Sequence, residues 1–195
     1  MGQDNGLNIK ARLNLFDEIL SKIKCTSLDG ALQDTDESFD DVVQKLLDVR
    51  SSKSHVYVIG NGGSASVASH MVIDLLNMSK IKAHTLFDHS TLTCISNDYG
   101  YENVFSKSLD TLLAEGDFLL AISSSGRSSN ILNAVNVAQM KGAYVLTVSG
   151  FSSDNPLRKF GTQNIWLDSF DYGVVEIGHA FILHNIADRL ALRTK

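Results

Sequence analysis

Cysteine is scarce in this chain, and the two present, Cys25 and Cys94, lie far apart. Neither a disulfide framework nor a closely spaced thiolate metal site can be built from them. Positive charge is also short: 17 basic against 22 acidic residues leave a net charge of −5. That gives no electrostatic footing for a nucleic-acid backbone. Long hydrophobic runs are missing, and the longest, Phe118 to Ile122, falls far short of the roughly 20 residues that span a bilayer. It reads as a buried strand. The opening segment Met1-Gly2-Gln3-Asp4-Asn5-Gly6 lacks the basic and apolar regions of a signal peptide and has Gly6 where a myristoylation motif has serine or threonine. Repeats, low-complexity tracts and an appended helix-turn-helix are absent too. The expectation is a cytoplasmic protein with a small-molecule ligand, no nucleic acid and no membrane. Its 195 residues suit a single domain, since a chain of this size buries about 70% of the surface its unfolded state exposes.

What is present divides into two parts. In the first 50 residues, Leu13, Phe16, Leu20 and Ile23 share one helix face, and Phe39, Val42, Val43, Leu46 and Leu47 form a tighter stripe on a second helix. Thr26 to Asp36 is polar and patternless, with a turn signal at Asp29-Gly30, and predicts a loop leading to a helix cap at Asp36 or Ser38. From His55 onward, short apolar runs bounded by glycine and serine alternate with helical stretches, the mark of βαβ units. Strands are expected at Val56–Ile59, Ala83–Leu86, Phe118–Ile122, Tyr144–Val148 and Ile165–Leu167. Helices are expected at Ser64–Asn77, Asn103–Leu113, Ser129–Lys141 and Val174–Leu192, with a helical turn near Pro156–Phe160. The fold class is α/β, with residues 55–195 forming the α/β unit and 1–50 a helical segment.

Two strand-to-helix junctions are candidates for an anion site, because free amides at a helix N-terminus stabilise negative charge there. The first, Val58-Ile59-Gly60-Asn61-Gly62-Gly63-Ser64-Ala65, matches a loose G-x-G-x-x-A pattern that also suits a plain tight turn. The second, Ile122-Ser123-Ser124-Ser125-Gly126-Arg127-Ser128-Ser129, is more specific. Its hydroxyls and amides can surround a phosphate while Gly126 lets the backbone approach closely. Helix capping by these serines is the plainer alternative. A dinucleotide fold needs no second cradle, and no nucleoside-triphosphate loop is present, so the pair favours a compact phosphorylated ligand. Arg127 either adds charge to the cradle or stays exposed beside it.

Gly60-Asn61-Gly62-Gly63-Ser64-Ala65, Ser96-Asn97-Asp98-Tyr99-Gly100 and Ser123-Ser124-Ser125-Gly126-Arg127-Ser128 together resemble the signature segments of the phosphoheptose isomerases, in the same order along the chain. That family belongs to the SIS phosphosugar-binding proteins. The resemblance implies a doubly wound, five-stranded parallel sheet flanked by helices, with two extra N-terminal helices that serve oligomer contacts. It also implies a homotetramer with its active sites between subunits. For the ligand it implies phosphate contacts from Ser123, Ser124, Ser125 and Ser128, sugar contacts from Asn61, Gly62 and Ser64, and a substrate-side role for Asp98. The implied reaction converts sedoheptulose 7-phosphate, or a close relative, to D-glycero-D-manno-heptose 7-phosphate for the heptoses of lipopolysaccharide or capsule.

Such an isomerisation needs a base for a carbon-bound proton and an acid for the enediolate oxygen. His70 and Asp74 sit i, i+4 on one helix face, and Glu176 and His184 lie on the last helix with His179 between them. The resemblance implies that His184 is the acid, that Asp74 or Glu176 is the base, and that Glu176 also contacts substrate. It implies further that His70, Asp74, Glu176 and His184 hold one zinc ion per site. Asp74 stands where glutamate is usual, and Glu176 where glutamine is usual. The shorter Asp74 matters because misplacing a reactive group by about 1 Å can cost around a hundredfold in rate. The added charge of Glu176 opposes an enediolate unless a cation offsets it. Two histidines and two carboxylates are a plausible zinc set for that purpose. His179 reads as structural, and His55, His84 and His89 match nothing specific. The contrasting function is a non-catalytic phosphosugar-binding or regulatory SIS protein of the initiator-binding type, which the retained His70, Asp74 and His184 disfavour.

Overall fold

The structure, a computed structural model, describes residues 8–194, so the segment read above for a leader or acyl anchor lies outside it. The chain runs α1 (Ile9–Leu20), β1 (Lys24–Ser27), β2 (Leu32–Gln33), α2 (Thr35–Ser52), β3 (His55–Ile59), α3 (Gly63–Ser79), β4 (Lys82–Thr85) and α4 (His89–Tyr99). It continues through α5 (Ser106–Leu112), β5 (Phe118–Ser123), α6 (Ser129–Met140), β6 (Tyr144–Ser149), β7 (Gln163–Trp166) and α7 (Tyr172–Arg193), with single 3₁₀ turns at Tyr101–Asn103 and Pro156–Lys159.

Alternation within the apolar strands explains the layering. Val56, Val58, Phe118, Leu120 and Ile122 enter one core with the inner faces of α2, α3 and α7. Their strand neighbours Tyr57, Ile59, Leu119 and Ala121 enter a second core with α5 and α6. Strands covered on both faces read as continuous apolar runs, which is why the sequence reveals them. All five expected strands are present and parallel, in the order β4-β3-β5-β6-β7. After β4 the chain returns across β3 to β5, so the order reverses between β3 and β5. Ligands of open α/β sheets bind at such a switch, beyond the strands' carboxyl ends.

The sheet is wider than expected. The segment from Thr26 to Asp36, read as a loop, belongs to a hairpin: β1 pairs antiparallel with β2 and with β7, giving seven strands. The Asp29-Gly30 turn is in place, with the Gly30 amide donating to the Ser27 carbonyl at 2.9 Å. Strands of four and two residues are too short to show alternation. The cap of α2 is Asp34, not Asp36 or Ser38, and it accepts from the amides of Asp36 and Glu37. Ser38 is buried, and its carbonyl takes the Gln163 side-chain amide at 2.8 Å. Helix α4 was not expected because none of its residues is buried, so it has no apolar stripe to read. Helix α5 begins at Ser106 rather than Asn103.

Candidate active site

Both junctions lie at the switch. The turn after β3 and the serine loop after β5 enclose a cavity of about 270 Å³ lined by Asn61, Gly62, Gly63, Ser64, Ile122, Ser123, Ser124, Ser125, Ser128, Tyr172 and Glu176. Helices α3 and α6 therefore start at its wall, and the amides of a first helical turn have no partner within their helix. The Ser124 hydroxyl is buried without a hydrogen-bond partner. Ser128 is the N-cap residue of α6 but makes no side-chain cap bond; its hydroxyl lies 3.5 Å from that of Ser123. The capping alternative thus fails for Ser128, and an unpaired buried hydroxyl is a group that a ligand oxygen would satisfy.

Gly126 also serves the packing of the loop itself. Its φ is +61°, and an added Cβ would fall 2.0 Å from the Asn155 carboxamide oxygen, so a larger residue would collide with the side chain buttressing the loop. Arg127 is exposed and pairs with Asp154 at 3.2 Å, leaving the cradle to hydroxyls and amides.

Asn61 is held by a reciprocal amide pair with Asn130, each bond 2.9 Å, and by the Tyr101 hydroxyl, which donates to its Oδ1 at 3.1 Å. This joins the first turn to the start of α6 and fixes Asn61 as a brace as well as a wall. Asn130 and Tyr101 carried no signal in the sequence, because their role arises only when the two junctions meet. Asp98 stands apart from the cavity. It lies exposed near the end of α4, bonded to Asn97 and Cys94.

A second group forms where α3 packs against α7. His184 Nδ1 is 3.3 Å and His70 Nε2 3.7 Å from Asp74 Oδ2, and Asp74 is mostly buried with a side-chain exposure of 12%. The three line a cavity of about 240 Å³ with Ser66, Val67, Ala180 and Leu183. Glu176 is not among them. It lies two turns earlier on α7, about 12 Å along the axis, with its carboxylate against Gly63, where an added Cβ would come within 2.4 Å of Oε1. The expected set of four is thus three in one place and one on the anion cavity. Two imidazoles and a carboxylate with donor atoms all within 4.8 Å of one another can hold a metal ion. A tetrahedral zinc site spaces its ligand atoms by roughly 3.3–3.5 Å, so the group fits such an ion with small side-chain adjustments.

A profile of the SIS domain matches residues 25–150. The phosphoheptose isomerase of Citrifermentans bemidjiense is 31% identical over 188 residues, covering 93% of this chain and 93% of that protein. The chain belongs to the phosphoheptose isomerase family of SIS-domain proteins. Solved members superpose on most of its length. A phosphoheptose isomerase from Francisella tularensis gives a TM-score of 0.81 at 25% identity, over 94% of this chain and 96% of that one. The one from Neisseria gonorrhoeae gives 0.73 at 29% identity, over 79% and 85%. The α/β fold with its parallel strands is therefore the SIS fold that the resemblance implied, and the β1–β2 hairpin is the part that the five-strand expectation left out.

Between Glu176 and His184 on α7 sits His179. It is fully buried, and neither ring nitrogen meets a hydrogen-bond partner in normal geometry. Burial lowers its pKa from 6.5 to about 4 by penalising the imidazolium. Below pH 6.5 the unfolded chain binds a proton that the folded chain refuses, so folding stability is expected to fall from pH 6.5 to about pH 4. The loss attributable to this one residue is about 3 kcal/mol. Urea midpoints across that range, for the parent and His179→Gln, test it: the variant should have the flatter profile, and equal slopes would count against the assignment.

Proposed function

We propose that this member of an isomerase family interconverts sedoheptulose 7-phosphate, or a close relative, with D-glycero-D-manno-heptose 7-phosphate by an enediolate mechanism, in the cytoplasm, for surface-polysaccharide heptoses. The observation that carries this reading is the pairing of two sites on the same two helices. An anion cavity walled by serine hydroxyls, that of Ser124 without a partner, opens at the start of α3, and an acid–base group lies further along α3 and α7. Glu176 and His184, one on each site, are about 12 Å apart along α7, a span suited to a long phosphorylated chain.

In this scheme Ser123, Ser124, Ser125 and Ser128 hold the phosphate, and Asn61, Gly62 and Ser64 line the path of the sugar. Asp74 takes the proton from the hydroxyl-bearing carbon next to the carbonyl and returns it to the former carbonyl carbon, while His184 gives a proton to the former carbonyl oxygen and recovers one from the neighbouring hydroxyl as the aldehyde forms. Asp74 is the better-placed base, since it lies 3.3 Å from the acid and Glu176 lies on the other cavity. Zinc would be held by His70, Asp74 and His184, where its charge would stabilise developing negative charge on the substrate oxygens. Glu176 in turn gives the phosphate cavity a carboxylate wall.

Purified protein incubated with sedoheptulose 7-phosphate, with and without added zinc, is expected to form aldose. Binding of the ketose phosphate with no aldose under either condition would leave the non-catalytic phosphosugar-binding role instead.

The same reading takes the whole chain as one SIS unit assembled into a homotetramer through its N-terminal segment and last helix. Leu13 on α1 and Ile177 and Phe181 on α7 are more than half exposed, and Phe181 meets Phe16 edge-on at 6.0 Å. Exposed apolar side chains on helices that pack together, when they adjoin, mark contact surfaces. Light scattering at micromolar concentration should return four times the chain mass, and a stable monomer would refute it.

A further inference from the structure

The scheme above leaves unused a group of three aromatic rings, one of which, Tyr172, lines the anion cavity. Tyr172, the first residue of α7, and Ile122 are the apolar-faced side chains of a wall otherwise made by glycine, serine, asparagine and Glu176. Tyr172 meets the Phe151 ring edge-on, with centroids 4.7 Å apart and planes at 86°. Phe151 in turn stacks on Phe170 at 5.6 Å. Tyr172 and Phe170 keep 61% and 72% of their surface exposed, so this contact buries little and its stability benefit is small.

The backbone nevertheless holds the group in place at some cost. Phe151 has a φ of +55°, in the left-handed region that bulky side chains seldom adopt, and such strain persists only where the surroundings impose it. Here the Phe151 amide donates to the Ser169 carbonyl at 2.9 Å, and the preceding Gly150 amide donates to the Ser124 carbonyl at 2.9 Å. The strained residue is thus tied to the serine loop on one side and to the segment before α7 on the other. Next to Tyr172, Asp171 caps α7 through the Val174 amide and takes two bonds from Arg12, at 2.6 and 3.0 Å. A tyrosine ring joins an apolar face to a polar tip, which suits a polyol chain that turns its C–H groups to a wall while its hydroxyls bond elsewhere.

We propose that Tyr172 is a specificity-determining residue whose ring forms the wall for the carbon chain next to the phosphate, and that Phe151 is its positioning residue. This rests on the sugar-phosphate reading above and names the part of the ligand that the serines do not recognise. Inorganic phosphate fills the hydroxyl cradle without touching the wall, whereas sedoheptulose 7-phosphate needs both. Tyr172→Ala should therefore weaken the ketose phosphate by about tenfold while inorganic phosphate binds as in the parent. The kinetic effect should fall on KM more than on kcat. Tyr172→Phe should keep most of the affinity. Phe151→Gly, which suits the backbone angle and removes the ring, should act in the same direction as Tyr172→Ala.

Calorimetry with the two ligands, kinetics with the ketose phosphate and light scattering on each variant decide the matter. Parent-like affinity for the ketose phosphate in Tyr172→Ala would overturn the inference alone. So would an equal loss of both ligands, which marks a merely structural role, or a change in assembly, which marks a subunit contact. A parent protein that binds neither ligand would overturn the sugar-phosphate reading and this inference with it.

Discussion

Ser124→Ala combined with Ser128→Ala is expected to weaken a phosphorylated ligand by about a hundredfold to ten-thousandfold, because two hydrogen bonds to a charged group are lost at roughly 1.5–3 kcal/mol each. Folding should be spared. The Ser124 hydroxyl has no partner in the folded chain, so its removal takes away a desolvated group that the protein itself leaves unpaired. Ser128 occupies an N-cap position, where replacement by alanine usually costs about 1 kcal/mol through the lost cap bond, but it makes no such bond. Calorimetry with sedoheptulose 7-phosphate and with inorganic phosphate, beside a thermal melt, separates the two effects. A double variant that binds both as tightly as the parent would remove the serine loop from the site. One that melts far below the parent would show that these hydroxyls support the fold.

How far the sequence could lead depended on where each signal is stored. Phe118 to Ile122 announced itself because a strand buried on both faces has no polar positions to disguise it. The serine loop was readable because its function is local, with hydroxyls, amides and a helix start in consecutive residues. Gly126 was read only for close backbone approach to a phosphate, whereas the clash that excludes a side chain there comes from Asn155, remote in sequence from the loop. His70 and Asp74 were found by their i, i+4 spacing, but their meeting with His184 is a product of α3 packing against α7, and only the family resemblance supplied it. That resemblance also grouped Glu176 with them, whereas eight residues of helix carry Glu176 away to the other cavity. Asp98, part of a recognisable segment, lies exposed on α4. The brace formed by Asn61, Asn130 and Tyr101 was invisible for the same reason as the Asn155 contact: each partner is ordinary in its own stretch of chain.

His184→Ala is expected to lower turnover by about a hundredfold to ten-thousandfold, the range that general acid catalysis contributes, while inorganic phosphate binds as before. The two sites lie apart on α7, and His184 is about half exposed, with a side-chain exposure of 47%. Its loss should therefore leave the core and the anion cavity intact. Asp74 is more enclosed, and its replacement tests the other half of the proton transfer. Asp74→Asn keeps the size of the side chain but cannot accept a carbon-bound proton at neutral pH, so turnover should fall in the same range. Asp74→Glu restores the length usual in the family and keeps the carboxylate, so it should retain activity where Asp74→Asn does not. Elemental analysis of the same preparations separates two causes of lost activity. If the group holds zinc, His184→Ala and Asp74→Asn should both lose metal, and Glu176→Gln, lying outside the group, should keep it. Turnover that survives in His184→Ala at the parent's level would remove this histidine from the reaction, and with it the assignment of the α3–α7 cavity as the place where the proton moves.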